Sequence, residues 1–321
     1  MPFITDRNEA KKIFEEAAGR DVSIALFCTG SFWNTEAILL AASRFADRHG
    51  IENIPVVVSM TSLYPHMRQA KRFTYSGDEK LGLRAGFEHC KMLCAGPYAP
   101  YGNVAAMTHL DHADPVNDRW ALTENMDLLT SVMLDTQNMS YKENIETTRE
   151  YMKSYGDQAL VEGIIEGLAV SGTKGKKDDN YVEKAVDFVS KTGVDFLVAD
   201  LGTEQQSAGT EAVYLGGRAR ALTEALGRRM LVLHGVSSMK NEDVCGLAAD
   251  GVVRINMWTR IVREAGQYAA GRLSGRMALI EAGDFEAAEA TAYINDNIHE
   301  AARVMEAIMG GLGYANLALK V

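Results

Sequence analysis

Short apolar runs recur along the chain, and between them apolar residues return every three or four positions. The runs cover residues 22–27, 54–60, 103–107, 131–134, 160–165, 194–201, 230–233 and 251–255. Runs of this length bounded by turn residues predict strands buried on both faces. The three-to-four spacing predicts helices over residues 9–18, 36–49, 83–93, 123–129, 141–155, 182–191, 218–226 and 242–248, then over 262–273 and 285–309. Asn34 or Thr35 is the expected cap of the second helix, which stops at Gly50. Eight strands alternating with helices, with no shift in composition between them, predict a single α/β domain over residues 1–321. Its expected architecture is a (β/α)8 TIM barrel, with residues 275–321 as a C-terminal helical extension.

The polar residues sharpen that expectation. The third run ends in Thr108-His109-Leu110-Asp111-His112. Along a regular strand His112 and Leu110 point one way, Asp111 and His109 the other. Two readings of this stretch stand on local grounds. One is a metal or proton-transfer site; the other is a pair of structural histidines with Asp111 or Asp114 capping a helix near Pro115. Other runs end alike, in Asp135, Glu162 and Glu166, Glu204 and Gln205, His234, and Asn256 and Thr259. In a barrel these are the C-terminal strand ends, where active sites lie. Core histidines have no reason to gather there, which favours the functional reading. Trp33 and Asn34 after the first run, and His66 and Arg68 after the second, are further candidates for the barrel mouth.

Composition narrows the function class. The 321 residues carry a net charge of −10, which argues against a general binder of nucleic acid or anionic membranes. No uninterrupted apolar stretch approaches the roughly 20 residues of a spanning helix. The first residues lack a basic-then-apolar leader, so a cytoplasmic location is expected. Cys28, Cys90, Cys94 and Cys245 have no metal-knuckle spacing and read as reduced structural thiols. The polar loop 171–180, with Lys174, Lys176, Lys177, Asp178 and Asp179, reads as a surface segment or a lid.

In order, these motifs resemble the class II, metal-dependent ketose-bisphosphate aldolases. Leu110-Asp111-His112 is similar to the family's Leu-Asp-His. Met133-Leu134-Asp135 with Glu143-Asn144-Ile145 resembles Met-Ile-Asp with Glu-Asn-Ile. Thr192-Gly-Val-Asp195 with Gly202-Thr203 resembles Thr-Gly-Val-Asp with Gly-Thr. Leu233-His234-Gly235-Val-Ser237-Ser238 resembles Leu-His-Gly-Gly-Ser-Gly, and Arg254-Ile-Asn256-Met-Trp-Thr259 resembles Lys-Ile-Asn-Ile-Asp-Thr. The resemblance implies retro-aldol cleavage of a ketose or ketose phosphate through a metal-stabilised enediolate. It implies His112 and His234 as ligands of a divalent metal, zinc foremost, and Asp111 as the proton carrier, with His109 in support. It further implies Asn256, Gly235, Ser237 and Thr259 as binders of substrate or phosphate, and a homodimer or homotetramer.

The chain also departs from the family. Gln205 stands where the family has a third histidine ligand. Gln205 or Glu204 could ligate instead, and oxygen for nitrogen shifts the preference towards manganese or another harder ion. The family's glutamate ligand matches Glu162 or Glu166, and the sequence does not choose between them. Trp258 replaces an aspartate, which disfavours fructose 1,6-bisphosphate itself. Alternative functions on this fold are a metal-dependent sugar or sugar-acid epimerase or isomerase, and a non-catalytic aldolase-like subunit.

Overall fold

A computed structural model describes residues 2–167, 180–205, 212–240 and 242–318. The strands are β1 (Phe3–Ile4), β2 (Ile24–Cys28), β3 (Ile54–Thr61), β4 (Val104–Ala113), β5 (Ser131–Leu134), β6 (Leu160–Ile164), β7 (Phe196–Val198), β8 (Leu231–Leu233) and β9 (Val252–Met257). Strands β2 to β9 pair in chain order, all parallel. β9 pairs with β2, which closes the sheet on itself. Helices lie between the strands and follow the last of them. This is the (β/α)8 barrel expected from the alternation. Every residue of the eight strands is buried, as both faces of a barrel sheet require.

Several boundaries differ from expectation. β1 is too short to show as an apolar run. It pairs with β4 at Ala106 and Met107, below the point where β5 joins the same edge at His109. The two strands thus share one edge of β4. The second helix begins at Phe32 under a Ser31 cap, not at Asn34 or Thr35. The helix expected over 242–248 is only a 3₁₀ turn, Glu242–Val244; Gly246, with φ 88°, breaks it. The eighth-repeat helix runs on to Glu281 and pairs with Ala290–Gly311.

After that hairpin the chain returns to the barrel through Tyr314, which is fully buried. Its hydroxyl donates to Pro55 O in β3 (2.8 Å) and accepts from Ala25 N in β2 (2.9 Å). One phenol therefore satisfies two backbone groups on neighbouring strands. Tyr314→Phe leaves both unpaired and is expected to cost about 1–3 kcal/mol. Urea unfolding measures this, and an unchanged midpoint would mean the hydroxyl does not hold the segment down.

Candidate active site

β4 pairs with β3 residue for residue up to Thr61 opposite Asp111. Against β5 the register slips: Leu110 faces Val132, but Ala113 faces Leu134. Asp111 and His112 therefore bulge opposite the single residue Met133, and His112 has φ 48°, in the left-handed region. The bulge breaks strict alternation. Asp111 and His112, which a regular strand would point to opposite faces, both line one cleft of about 500 Å³ at the C-terminal end of the barrel.

His112 is held on two sides. Its Nδ1 lies 2.9 Å from Asp135 Oδ2, and its ring stacks on Tyr64 with centroids 4.2 Å apart. Asp135 is itself braced by the Gln137 side-chain amide (3.1 Å). His234, from the end of β8, has Nε2 3.0 Å from Glu162 Oε1 and 3.1 Å from the Asn256 amide. Glu162, ion-paired to Arg254, accepts from a proton on Nε2, and that tautomer leaves the Nδ1 lone pair free; the Asn256 Nδ2 group, itself a donor, is then a close neighbour of Nε2 and not its acceptor. The Asn256 amide also reaches Asp111 Oδ1 (3.4 Å). His109 is fully buried: Nδ1 contacts Ser131 Oγ (2.8 Å), and Nε2 lies 3.8 Å from Asp111 and 3.9 Å from Glu162.

The charges sort accordingly. Burial pushes the Asp111 carboxyl up, but His112, His109 and His234 outweigh it and hold the group well below the usual carboxylate range. Burial lowers His234 to about 4, and burial with the Arg254 charge lowers His109 to about 3, so both imidazoles are neutral. For His112, burial pulls down, but Asp111 and Asp135 prevail and raise it.

One potential ligand atom each from Asp111, His112 and His234 lie within 4.8 Å of one another. Each imidazole carries a carboxylate on its second nitrogen, Asp135 behind His112 and Glu162 behind His234. That is the support metal-ligating histidines ordinarily have, so the donor set fits a divalent ion. Gln205 lines the cleft, with Oε1 accepting from the Tyr64 hydroxyl (2.9 Å). Gly235, Ser237, Asn256 and Thr259 line it as well.

The remaining candidates sit apart from the Asp111–His112–His234 group. Glu162 is fully buried behind His234 and ion-paired to Arg254. Glu166 is half-buried; its charge helps to raise the buried Tyr181 hydroxyl, second to burial itself. The Glu204 N–H donates to Ser238 Oγ (3.2 Å), and its backbone packs against Gly235. Asn34, in the first turn of the second helix, reaches back to the loop before it, accepting from Ser31 Oγ (2.7 Å) and Gly30 N (3.4 Å). His66 borders a neighbouring cavity with Tyr64 and Asp135. Asp114 accepts from the N–H groups of Val116 and Asn117, both at 2.9 Å. The lysines and aspartates of the loop 171–179 lie outside the described residues.

The family model for class-II fructose-bisphosphate aldolases matches residues 8–316. The chain belongs to this family. Among curated relatives, a fructose-bisphosphate aldolase of Treponema pallidum is 30% identical over 167 residues, 44% of this chain and 48% of its own length. A D-tagatose-1,6-bisphosphate aldolase subunit of Klebsiella oxytoca is 28% identical over 51% of this chain and 63% of its own. The chain therefore spans about half to two-thirds of these two relatives. A fructose-bisphosphate aldolase of Streptococcus pneumoniae is 26% identical over 78% of both chains. Among solved structures, the fructose-bisphosphate aldolase of Campylobacter jejuni superposes with a TM-score of 0.74 at 16% identity, covering 98% of this chain and 97% of that one. At that identity the likeness speaks for the aldolase fold alone.

Tyr64 is one of the cleft residues that pattern reasoning missed, with Thr61, Met67, Gln69 and Met257. It lies in an aromatic stretch without period, and its only signal was its place just past a strand end. A pH dependence follows from the buried histidines. Unfolded, His109 and His234 protonate near pH 6.5; folded, they resist to about 3 and 4. A lowered histidine contributes stability above 6.5 that is lost as pH falls towards its folded value, whereas the contribution of His112, being raised, is constant below 6.5. The metal-free protein is therefore expected to lose stability from pH 6.5 to 4.5, by up to about 1.4 kcal/mol per pH unit for each of the two. Urea midpoints across that range measure it; midpoints that stay level or rise would mean these imidazoles are already charged.

Proposed function

We propose that the chain is a divalent-metal-dependent aldehyde-lyase that cleaves a ketose or ketose phosphate by a retro-aldol reaction. What carries this reading is the pair of imidazoles from β4 and β8, each backed by a buried carboxylate and both open to a cleft that holds an ionised Asp111. His112 through Nε2 and His234 through Nδ1 would hold the ion. Bound there, it supplies the Lewis acidity that polarises the ketose carbonyl and stabilises the negative charge left on oxygen when the C–C bond breaks. Two imidazoles suit zinc; Gln205 nearby adds an oxygen donor that also suits manganese.

Asp111 takes the proton from the hydroxyl of the carbon that becomes the aldehyde. Its neighbours keep it ionised, so it is ready to accept. Asn256 Oδ1 is buried without a hydrogen-bond partner among the described residues, and would accept from a substrate hydroxyl. Gly235, Ser237 and Thr259 stand where the helix Thr259–Glu281 begins, a place that favours an anionic end of the substrate. The names of the curated relatives support a phosphorylated ketose; Trp258 in the cleft wall supports one differing from theirs. Apolar side chains exposed on the C-terminal hairpin, Met277, Leu279 and Phe285, support a homodimer or homotetramer. Light scattering at micromolar concentration should find one, and a monomer would overturn that assembly.

The deciding experiment screens ketoses and ketose phosphates for cleavage after zinc or manganese is returned to chelated protein. Absence of cleavage together with absence of metal uptake would sink the proposal. Asp111→Asn is expected to lower turnover by about 10²–10⁴-fold while the metal is retained. His234→Ala is expected to lose the metal. Full activity in Asp111→Asn would remove Asp111 from the proton transfer.

A further inference from the structure

Arg254 lies in the middle of β9, is completely buried, and has no part in the chemistry proposed above. Its guanidinium pairs with Glu162 Oε2 across the barrel interior and rests 5.7 Å over the ring of Phe196. The other oxygen of the same carboxylate, Oε1, is the one that faces His234 Nε2 at 3.0 Å. Arg254 therefore reaches a proposed ligand through a single shared carboxylate, with nothing in the chain of contacts open to solvent.

Stability is a poor reason for such a pair. Removing both charges from water is costly, and well-packed apolar residues of similar volume often serve a fold as well or better. Barrel interiors are ordinarily filled with branched apolar side chains. Orientation is a better reason. Alone, Glu162 would have two neighbouring imidazoles to choose between, because His109 Nε2 lies 3.9 Å from Oε2 and has no hydrogen-bond partner among the described residues. With Oε2 committed to Arg254, Oε1 is left for His234.

We propose that Arg254 is a positioning residue: through Glu162 it fixes the ring orientation of His234, so that Nδ1 faces the cleft as the ligand atom. This rests on the divalent-metal reading. A carboxylate behind a metal-ligating imidazole typically changes affinity by about 10–100-fold when disturbed, and Arg254 is placed to act at one further remove.

Two substitutions separate orientation from packing. Arg254→Lys keeps a cation beside Glu162, whereas Arg254→Gln is similar in length and uncharged. Zinc affinity by calorimetry and the visible spectrum of the cobalt(II)-loaded protein are the readouts. Arg254→Gln is expected to weaken zinc by about 10–100-fold and to shift the cobalt bands, with Arg254→Lys recovering most of both. If Arg254→Gln does not fold, Arg254→Met with Glu162→Leu removes both charges and takes its place, with the same loss expected. Affinity and cobalt bands like those of the unsubstituted protein in Arg254→Gln or the double variant would overturn the inference alone. No zinc heat and no cobalt bands in the unsubstituted protein would overturn the metal reading, and this inference with it.

Discussion

The site depends on a local defect in one strand. β4 must stay in register with β3 while slipping against β5, and the slip is absorbed at Asp111 and His112. A histidine at φ 48° costs conformational energy that the two flanking strands must overcome. The return is geometric. A proton-accepting carboxylate and an imidazole, adjacent in sequence, reach one cavity from a secondary structure that normally separates adjacent side chains. The slip is possible because β3 and β5 each hold their own edge of β4.

Around that defect the charges are arranged so that the imidazoles and the carboxylates do not neutralise one another indiscriminately. Asp135 is given to His112 and Glu162 to His234, while Asp111 is shared with the Asn256 amide and stays ionised. The cleft is lined by apolar side chains as well, among them Cys28, Met67, Met257 and Trp258. Burial there also keeps the Cys28 thiol protonated, since its ionisation is pushed up chiefly by desolvation. A low-dielectric wall strengthens every polar contact made across it, which makes the few charged groups in the cleft decisive.

Much of this was legible in the sequence, and the failures have identifiable causes. Ser131–Leu134 and Tyr141–Tyr155 appear as their apolar patterns indicate, because one is a buried run and the other a full helical period with a capping box at Ser140. The strand ends were legible for the same reason: polarity changes abruptly where a buried strand meets the barrel mouth. β1 was not, since two residues carry no period. Nor was the bulge, whose cause is register between three strands far apart in sequence. Glu162 and Glu166 could not be told apart by spacing, yet one is sealed behind His234 and the other lies out beside Tyr181. What separates them is where β6 stops, at Ile164.

The position held by Gln205 shows how one replaced residue redistributes dependence. Burial raises the Tyr64 hydroxyl above its ordinary value, so it stays a donor, and its bond to Gln205 Oε1 uses one of that oxygen's two lone pairs. Tyr64 meanwhile covers the face of the His112 ring. The same side chain thus holds in place the residue that stands where the family has a third histidine, and stacks on one proposed as a ligand. With fewer imidazoles in the cleft, more rests on the orientation of His112 and His234. Those orientations depend in turn on Asp135 and Glu162, two buried carboxylates that need never touch the ion.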